Sequence, residues 1–134
     1  MGRHVPWVND ALYGMGRAWQ SLKQFDNAVN AYVQVTRRTV SEVAAQAQLQ
    51  MGICRLEQQR FAEALPALLA VPYSYDYPEC SAAAWCEAGR AAIGLKQNDE
   101  AARCWRRVIQ DHPNSPWAKI ARERLAEIKE PAAP

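Results

Sequence analysis

The chain is poor in the groups that do chemistry. It has only two histidines in 134 residues, His4 near the start and His112 in a proline-flanked loop. A nucleophilic cysteine needs a base such as histidine beside it, and neither histidine falls in a regular stretch that would bring it there. The four cysteines, Cys54, Cys80, Cys86 and Cys104, form no C-x-x-C pair, and no Cys/His set has zinc-ligand spacing. Their alanine-rich surroundings suit reduced packing thiols. A disulfide is the alternative, with no pairing readable from spacing. Gly14 and Gly16 lie inside an apolar-periodic segment, so no glycine-rich phosphate loop is present. No run approaches the ~18 apolar residues of a membrane span. The first ten residues lack an apolar signal core, and Pro6 stands where a myristoylation motif needs serine or threonine. Formal net charge is only +2, too small for a whole-chain field that steers toward nucleic acid or acidic membranes. These deficits leave no expected cofactor, metal or catalytic residue.

What is present is a repeated spacing. "GRAWQSLKQFDNA", "GICRLEQQRFAEA" and "GRAAIGLKQNDEA" each set an alanine twelve residues after a glycine: Gly16 and Ala28, Gly52 and Ala64, Gly89 and Ala101. The glycines are 36 and then 37 residues apart. Around each pair, apolar residues recur at helical period on either side of a polar break. The first copy predicts a helix from near Pro6 to about Leu22 with an apolar stripe of Leu12, Met15, Trp19 and Leu22. A second helix carries Phe25, Ala28, Tyr32 and Val35. Ala44, Ala47, Met51 and Leu56, then Phe61, Ala64, Leu65, Leu68 and Val71, make the second pair. Ser41 is the expected N-cap of the third helix. The segment 71–78, "VPYSYDYP", reads as a loop, because residues before proline avoid the helical region. A third pair runs over about 79–110. Ser115 caps a last helix beginning at Pro116, with Trp117, Ala121, Leu125 and Ile128 turned inward.

The pattern resembles the tetratricopeptide repeat, a helix-turn-helix with a large residue, Leu-Gly, an aromatic, alanine, an aromatic and a closing proline. The first copy has Leu12, Met15-Gly16, Trp19, Ala28 and Tyr32. The second has Gln48, Met51-Gly52, Ala64 and Leu68. The third has Trp85, Ala88-Gly89, Ala101, Trp105 and Pro113. Gln48, Arg55 and Ala92 depart from the large or aromatic residue, and two copies lack the closing proline. The usual period is about 34, so with glycine-to-alanine fixed at twelve the extra residues are expected between hairpins.

The resemblance implies an all-α, right-handed superhelical solenoid of antiparallel hairpins. Repeats are expected at 1–40, 41–77 and 78–114, with a capping helix at 115–130 and a disordered tail at 131–134. It further implies a non-enzymatic protein-interaction scaffold that holds a partner peptide or helix on its concave face. Family geometry puts Tyr13, Arg17 and Gln20, then Leu49, Ile53 and Leu56, then Cys86, Arg90 and Ile93 on that face, flanked by Asp10, Gln46, Glu123 and Glu127. Burial between repeats is the competing reading for Leu49, Ile53 and Leu56. The lysine–asparagine clamp with which some members grip a terminal carboxylate is absent, since Tyr13, Arg17 and Ile53 hold its positions. The tyrosines at 73, 75 and 77 read as a contact site or as rings folded over hairpin ends. Arg103, Arg106, Arg107, Arg37 and Arg38 read as solvated faces, since RNA-binding repeats need basic and stacking residues in register.

The abrupt apolar start suggests a piece of a longer array. Alternatives to peptide capture are self-assembly, with the uncapped first repeat stacking on another copy, and a helical accessory role in a larger protein. A protein partner is expected, a homo-oligomer is possible on this reading, and no nucleic acid or membrane insertion is implied. Reduced thiols and the missing signal point to the cytoplasm, with the cell envelope as the alternative for a chain that has lost a leader.

Overall fold

The computed structural model describes residues 6–128 as seven α-helices. The tail at 131–134 and His4 lie outside the described residues. α1 (Pro6–Ser21), α2 (Phe25–Arg38), α3 (Glu42–Glu57), α4 (Phe61–Ser74), α5 (Pro78–Gly94), α6 (Asn98–Asp111) and α7 (Pro116–Glu127) follow one another as successive antiparallel neighbours. Among the described residues no strand occurs.

The turn inside each hairpin is the same object three times. Lys23, Gln59 and Lys96 adopt left-handed φ of 60°, 58° and 61°. The next amide then reaches back five residues: Gln24 to the Trp19 carbonyl at 2.9 Å, Arg60 to Arg55 at 2.8 Å and Gln97 to Ala92 at 2.9 Å. This is a Schellman closure that occupies the last helical carbonyls, built here without the usual glycine. It fixes the reversal that lays α2 on α1, α4 on α3 and α6 on α5.

Within each hairpin the glycine marks the closest approach. A Cβ at Gly16 would lie 2.4 Å from the Tyr32 ring, at Gly52 2.4 Å from Leu68, and at Gly89 2.3 Å from Trp105. The large residue is therefore supplied by the second helix and fills the space that the glycine leaves. Ala28, Ala64 and Ala101 are fully buried opposite. Hairpins then stack, because a single one leaves an apolar face uncovered. One core cluster joins α3 through α7, and a second joins α1, α2 and α3. Across the first two hairpins Arg55 bridges Asp26 at 2.9 Å and Glu63 at 3.4 Å, so the polar residue at an aromatic position of the repeat ties three helices.

Several local expectations change. α4 runs on to Ser74, so the linker between the second and third hairpins is only residues 75–77. Pro72 removes one helical N–H. The buried Leu68 and Val71 hold that last turn in place, and the Tyr75 amide still closes on the Val71 carbonyl at 3.0 Å. Core packing here outweighs the bias of a pre-proline residue. The odd residue of the second period lies in a helix and not in a linker: α5 has 17 residues against 16 in α3, while 39–41 and 75–77 match in length. Ser41 occupies the N-cap of α3, but its hydroxyl accepts from Thr39 Oγ1 at 3.0 Å and makes no cap bond. The stripe on α1 also turns the other way. Leu12 packs inward, whereas Met15, Trp19 and Leu22 are exposed. No described helix lies on that side of α1, so only the residues facing α2 and α3 are covered.

Ser115 behaves as expected. Its Oγ accepts from the Ala118 amide at 3.2 Å and donates to the His112 carbonyl at 2.8 Å. Replacing it by alanine is expected to cost about 1 kcal/mol, read as a lowered urea midpoint with an unchanged slope. A variant as stable as the parent would show that α7 does not depend on this cap.

Candidate functional site

The helices fall into two layers. α1, α3, α5 and α7 approach one another in succession, while α2, α4 and α6 touch only helices of the first set. The first helix of each hairpin therefore lies on the inner side of the curve, and equivalent positions on it line up as rows across the array. Tyr13, Leu49 and Cys86 form one row, Arg17, Ile53 and Arg90 the next, and Gln20, Leu56 and Ile93 a third.

The rows differ in what they leave open. Leu49, Leu56 and Cys86 are buried. Here the competing reading applies to the two leucines, and Cys86 joins them: their side chains lie in the core, since neighbouring inner helices approach closely enough to cover them. They support the surface without presenting one. Ile53 is half-buried against the same core. Arg17, Arg90 and Ile93 are exposed.

Polar bonds hold several of these groups. Gln20 is fixed by two partners: it accepts from the Tyr32 hydroxyl at 2.6 Å and donates to Gln50 Oε1 at 3.0 Å. That network satisfies the buried Tyr32 hydroxyl, whose ionisation burial strongly opposes. Arg17 donates to the Tyr13 hydroxyl at 3.4 Å and enters no ion pair among the described residues. Arg90 pairs with Glu87, a buried carboxylate on the same helix. The open line is thus cation, apolar, cation: Arg17, Ile53, Arg90.

At the downstream end a cleft of about 430 Å³ opens between α5, α6 and α7. Arg90 and Ile93 form one side, Arg124, Glu127 and Ile128 the other, and Trp105 lies at its base. On sequence Ile128 reads as a core residue and Arg124 has no role, although Glu127 of the same helix is placed at the concave face. The signal available was the match of "SPWA" with the start of α1, which identifies α7 as another inner helix.

The remaining candidates resolve as supports. Tyr75 and Tyr77 pack against the core, and Tyr73 stands exposed with its ring edge-on to Trp85 at 5.7 Å. Arg107 lies over that indole at 5.2 Å and bonds Asp111 at 2.6 Å. Arg103 pairs with Glu100, and Arg38 donates to Asn9 at 3.0 Å. All four cysteines are free and buried. Burial pushes the Cys54 and Cys86 thiols up to about 11 and Cys104 to about 12, so they stay protonated at neutral pH. Among the described residues, no three His, Cys, Asp or Glu side chains gather as a metal site, and no helix is long and apolar enough to cross a membrane.

Comparisons with known proteins agree with this fold. Models of the tetratricopeptide repeat match residues 13–79 and 84–115. No curated protein matches significantly. Among solved structures, the Arabidopsis OM64 TPR domain superposes with a TM-score of 0.74 at 23% identity, over 90% of this chain and 95% of that one. The N-terminal domain of stress-induced protein-1 from C. elegans superposes with a TM-score of 0.69 at 18% identity, over 87% of this chain and 95% of its own. At such identities the likeness speaks for the fold. With a repeat model spanning half its length and a second matching further downstream, the chain belongs to the tetratricopeptide repeat family, a family of protein–protein interaction modules.

Proposed function

We propose that the inner face binds a partner peptide without catalysis, and that the peptide is an acidic segment with an apolar anchor. The observation that carries this reading is the middle row. Arg17 and Arg90 are exposed on either side of a half-buried Ile53. An apolar side chain seated on Ile53 is removed from water, and carboxylates before and after it meet the guanidinium groups in charge-assisted bonds. Arg17 is the stronger attractor, since the charge of Arg90 is already shared with Glu87. The downstream cleft offers a second apolar seat at Ile93 and Ile128.

The test uses fluorescein-labelled peptides carrying leucine or isoleucine between glutamates, with glutamine and lysine versions as controls. Anisotropy should detect the acidic set first, with affinity falling as salt rises. Changing Arg17→Glu together with Arg90→Glu should weaken binding by about a hundredfold or more, since each lost or reversed charge pair is worth over a factor of ten. Equal binding by parent and double variant would discard the groove.

A further inference from the structure

The outer side of α1 carries an apolar stripe with no helix over it among the described residues. Trp7 is 70% exposed, Met15 51% and Leu22 67%. At helical pitch these three share an arc of about 100° with Ala11, Gly14 and Ala18, all exposed. The repeat register identifies what this face is. Thirty-six residues on, the same positions are Val43, Ala47, Gln50, Met51, Cys54 and Gln58. The four apolar ones pack in the cluster that joins α3 to α2, while Gln50 accepts from Gln20 and Gln58 donates to Asp26. The open side of α1 has the form of a helix-docking surface.

Gly14 adds an independent observation. Gly16, Gly52, Gly89 and Gly94 each make room for a large side chain of their own chain, whereas a Cβ on Gly14 would meet nothing within 4 Å. Glycine weakens a helix interior, and no contact among the described residues explains it here. Small residues at 11, 14 and 18 let a second backbone come close.

We propose that this face is the contact of a two-fold dimer in which α1 of one copy lies antiparallel on α1 of another. Size and charge select a second copy. About a point between Gly14 and Met15 the stripe reads the same in both directions: large, small, centre, small, large, as Trp7, Ala11, Gly14–Met15, Ala18 and Leu22. In an antiparallel pair Met15 of each copy seats against Gly14 of the other at the crossing, Ala11 and Ala18 flank it, and the large residues fill the diverging ends, Trp7 beside Leu22 of the second copy. Asp10 and Arg17 border one edge of the stripe, on opposite sides of that centre. The same two-fold axis sets each Asp10 beside Arg17 of the second copy, so the dimer and an acidic peptide compete for that guanidinium. A parallel pair puts that charged edge against the apolar edge of Val8 and Trp19. The opposite end of the array is not complementary, since α7 exposes Lys119, Arg122 and Glu123. One helix pair is a small interface, so the dimer is expected to be concentration-dependent.

Sedimentation velocity of the parent chain should show the 15.1 kDa monomer give way to a species of twice that mass as concentration rises. Met15→Glu sets like charges together at the axis and should weaken association by about tenfold or more. Its melting temperature should be unchanged, because residue 15 is exposed in the monomer. Met15→Cys treated with a short bismaleimide should give a covalent dimer, and Lys119→Cys should not. The native thiols are too buried to compete. A chain that stays monomeric at millimolar concentration overturns the proposal. So does a dimer that survives Met15→Glu and Trp7→Glu, which would lie on another surface. A monomer that instead takes up a synthetic α2 peptide, Phe25–Arg38, on this face also overturns it and assigns the surface to a hairpin helix.

Discussion

Trp105→Ala should be the most damaging single substitution in the chain, at about 3–5 kcal/mol. At this length such a loss lowers the melting temperature by roughly 10–20 °C. The indole is buried and its Nε1 donates to the Cys86 carbonyl at 3.0 Å. Its ring covers Gly89 and forms the base of the cleft against α7. Truncation therefore opens a void between two hairpin helices and also loosens the helix stacked on them. Trp105→Phe keeps most of the ring and should cost clearly less, the difference including a hydrogen bond worth about 1 kcal/mol. Equilibrium urea unfolding followed by circular dichroism reads both. A loss under about 1 kcal/mol for the alanine variant would mean that this ring is not what holds α6 to α5.

The reciprocal change, Gly89→Leu, attacks the same contact from the other helix. With Trp105 Nε1 2.3 Å from where a Cβ would be, any side chain at 89 must displace a rigid ring. Overpacking of this kind costs about 1–3 kcal/mol or more. The equivalent Gly52→Leu should cost less, because its neighbour is the Leu68 side chain, which has rotamers to give. Combining Gly89→Ala with Trp105→Leu should recover part of the loss, a non-additivity expected only of residues in contact. An unchanged melting temperature for Gly89→Leu, or strict additivity in the pair, would sink the account of the repeat as glycine facing ring.

The repeat was legible because its cause is a spacing. A glycine where two helices nearly touch, and an alanine twelve residues later on the returning helix, mark a geometry that few other residues fit. Helix starts at Pro6 and Pro116 were legible for the same reason, since proline and a serine cap act within one turn. What the sequence hid depends on neighbours distant in the chain. Pro72 looks like a breaker until Leu68 and Val71 are seen buried around its turn. Met15, Trp19 and Leu22 have the period of a core stripe, and period does not tell which side has a partner. In the candidate site, the repeat register named Arg17, Ile53 and Arg90, whose side chains are open or half-open. Leu49, Leu56 and Cys86 obeyed that register as well, yet the closeness of the inner helices covers them. Register gives a direction; exposure depends on how tightly the array curves.

That every helix here touches only its close neighbours in the array has a mechanical consequence. No strut runs from α1 to α7, so the span between Arg17 and Arg90 is set by a series of small hinges, each with the stiffness of one stacking contact. Such an array behaves as a coil spring. Its pitch can lengthen or tighten by a little at every joint without any one core opening. A ligand that bridges both arginines would be felt along the whole spring as tension.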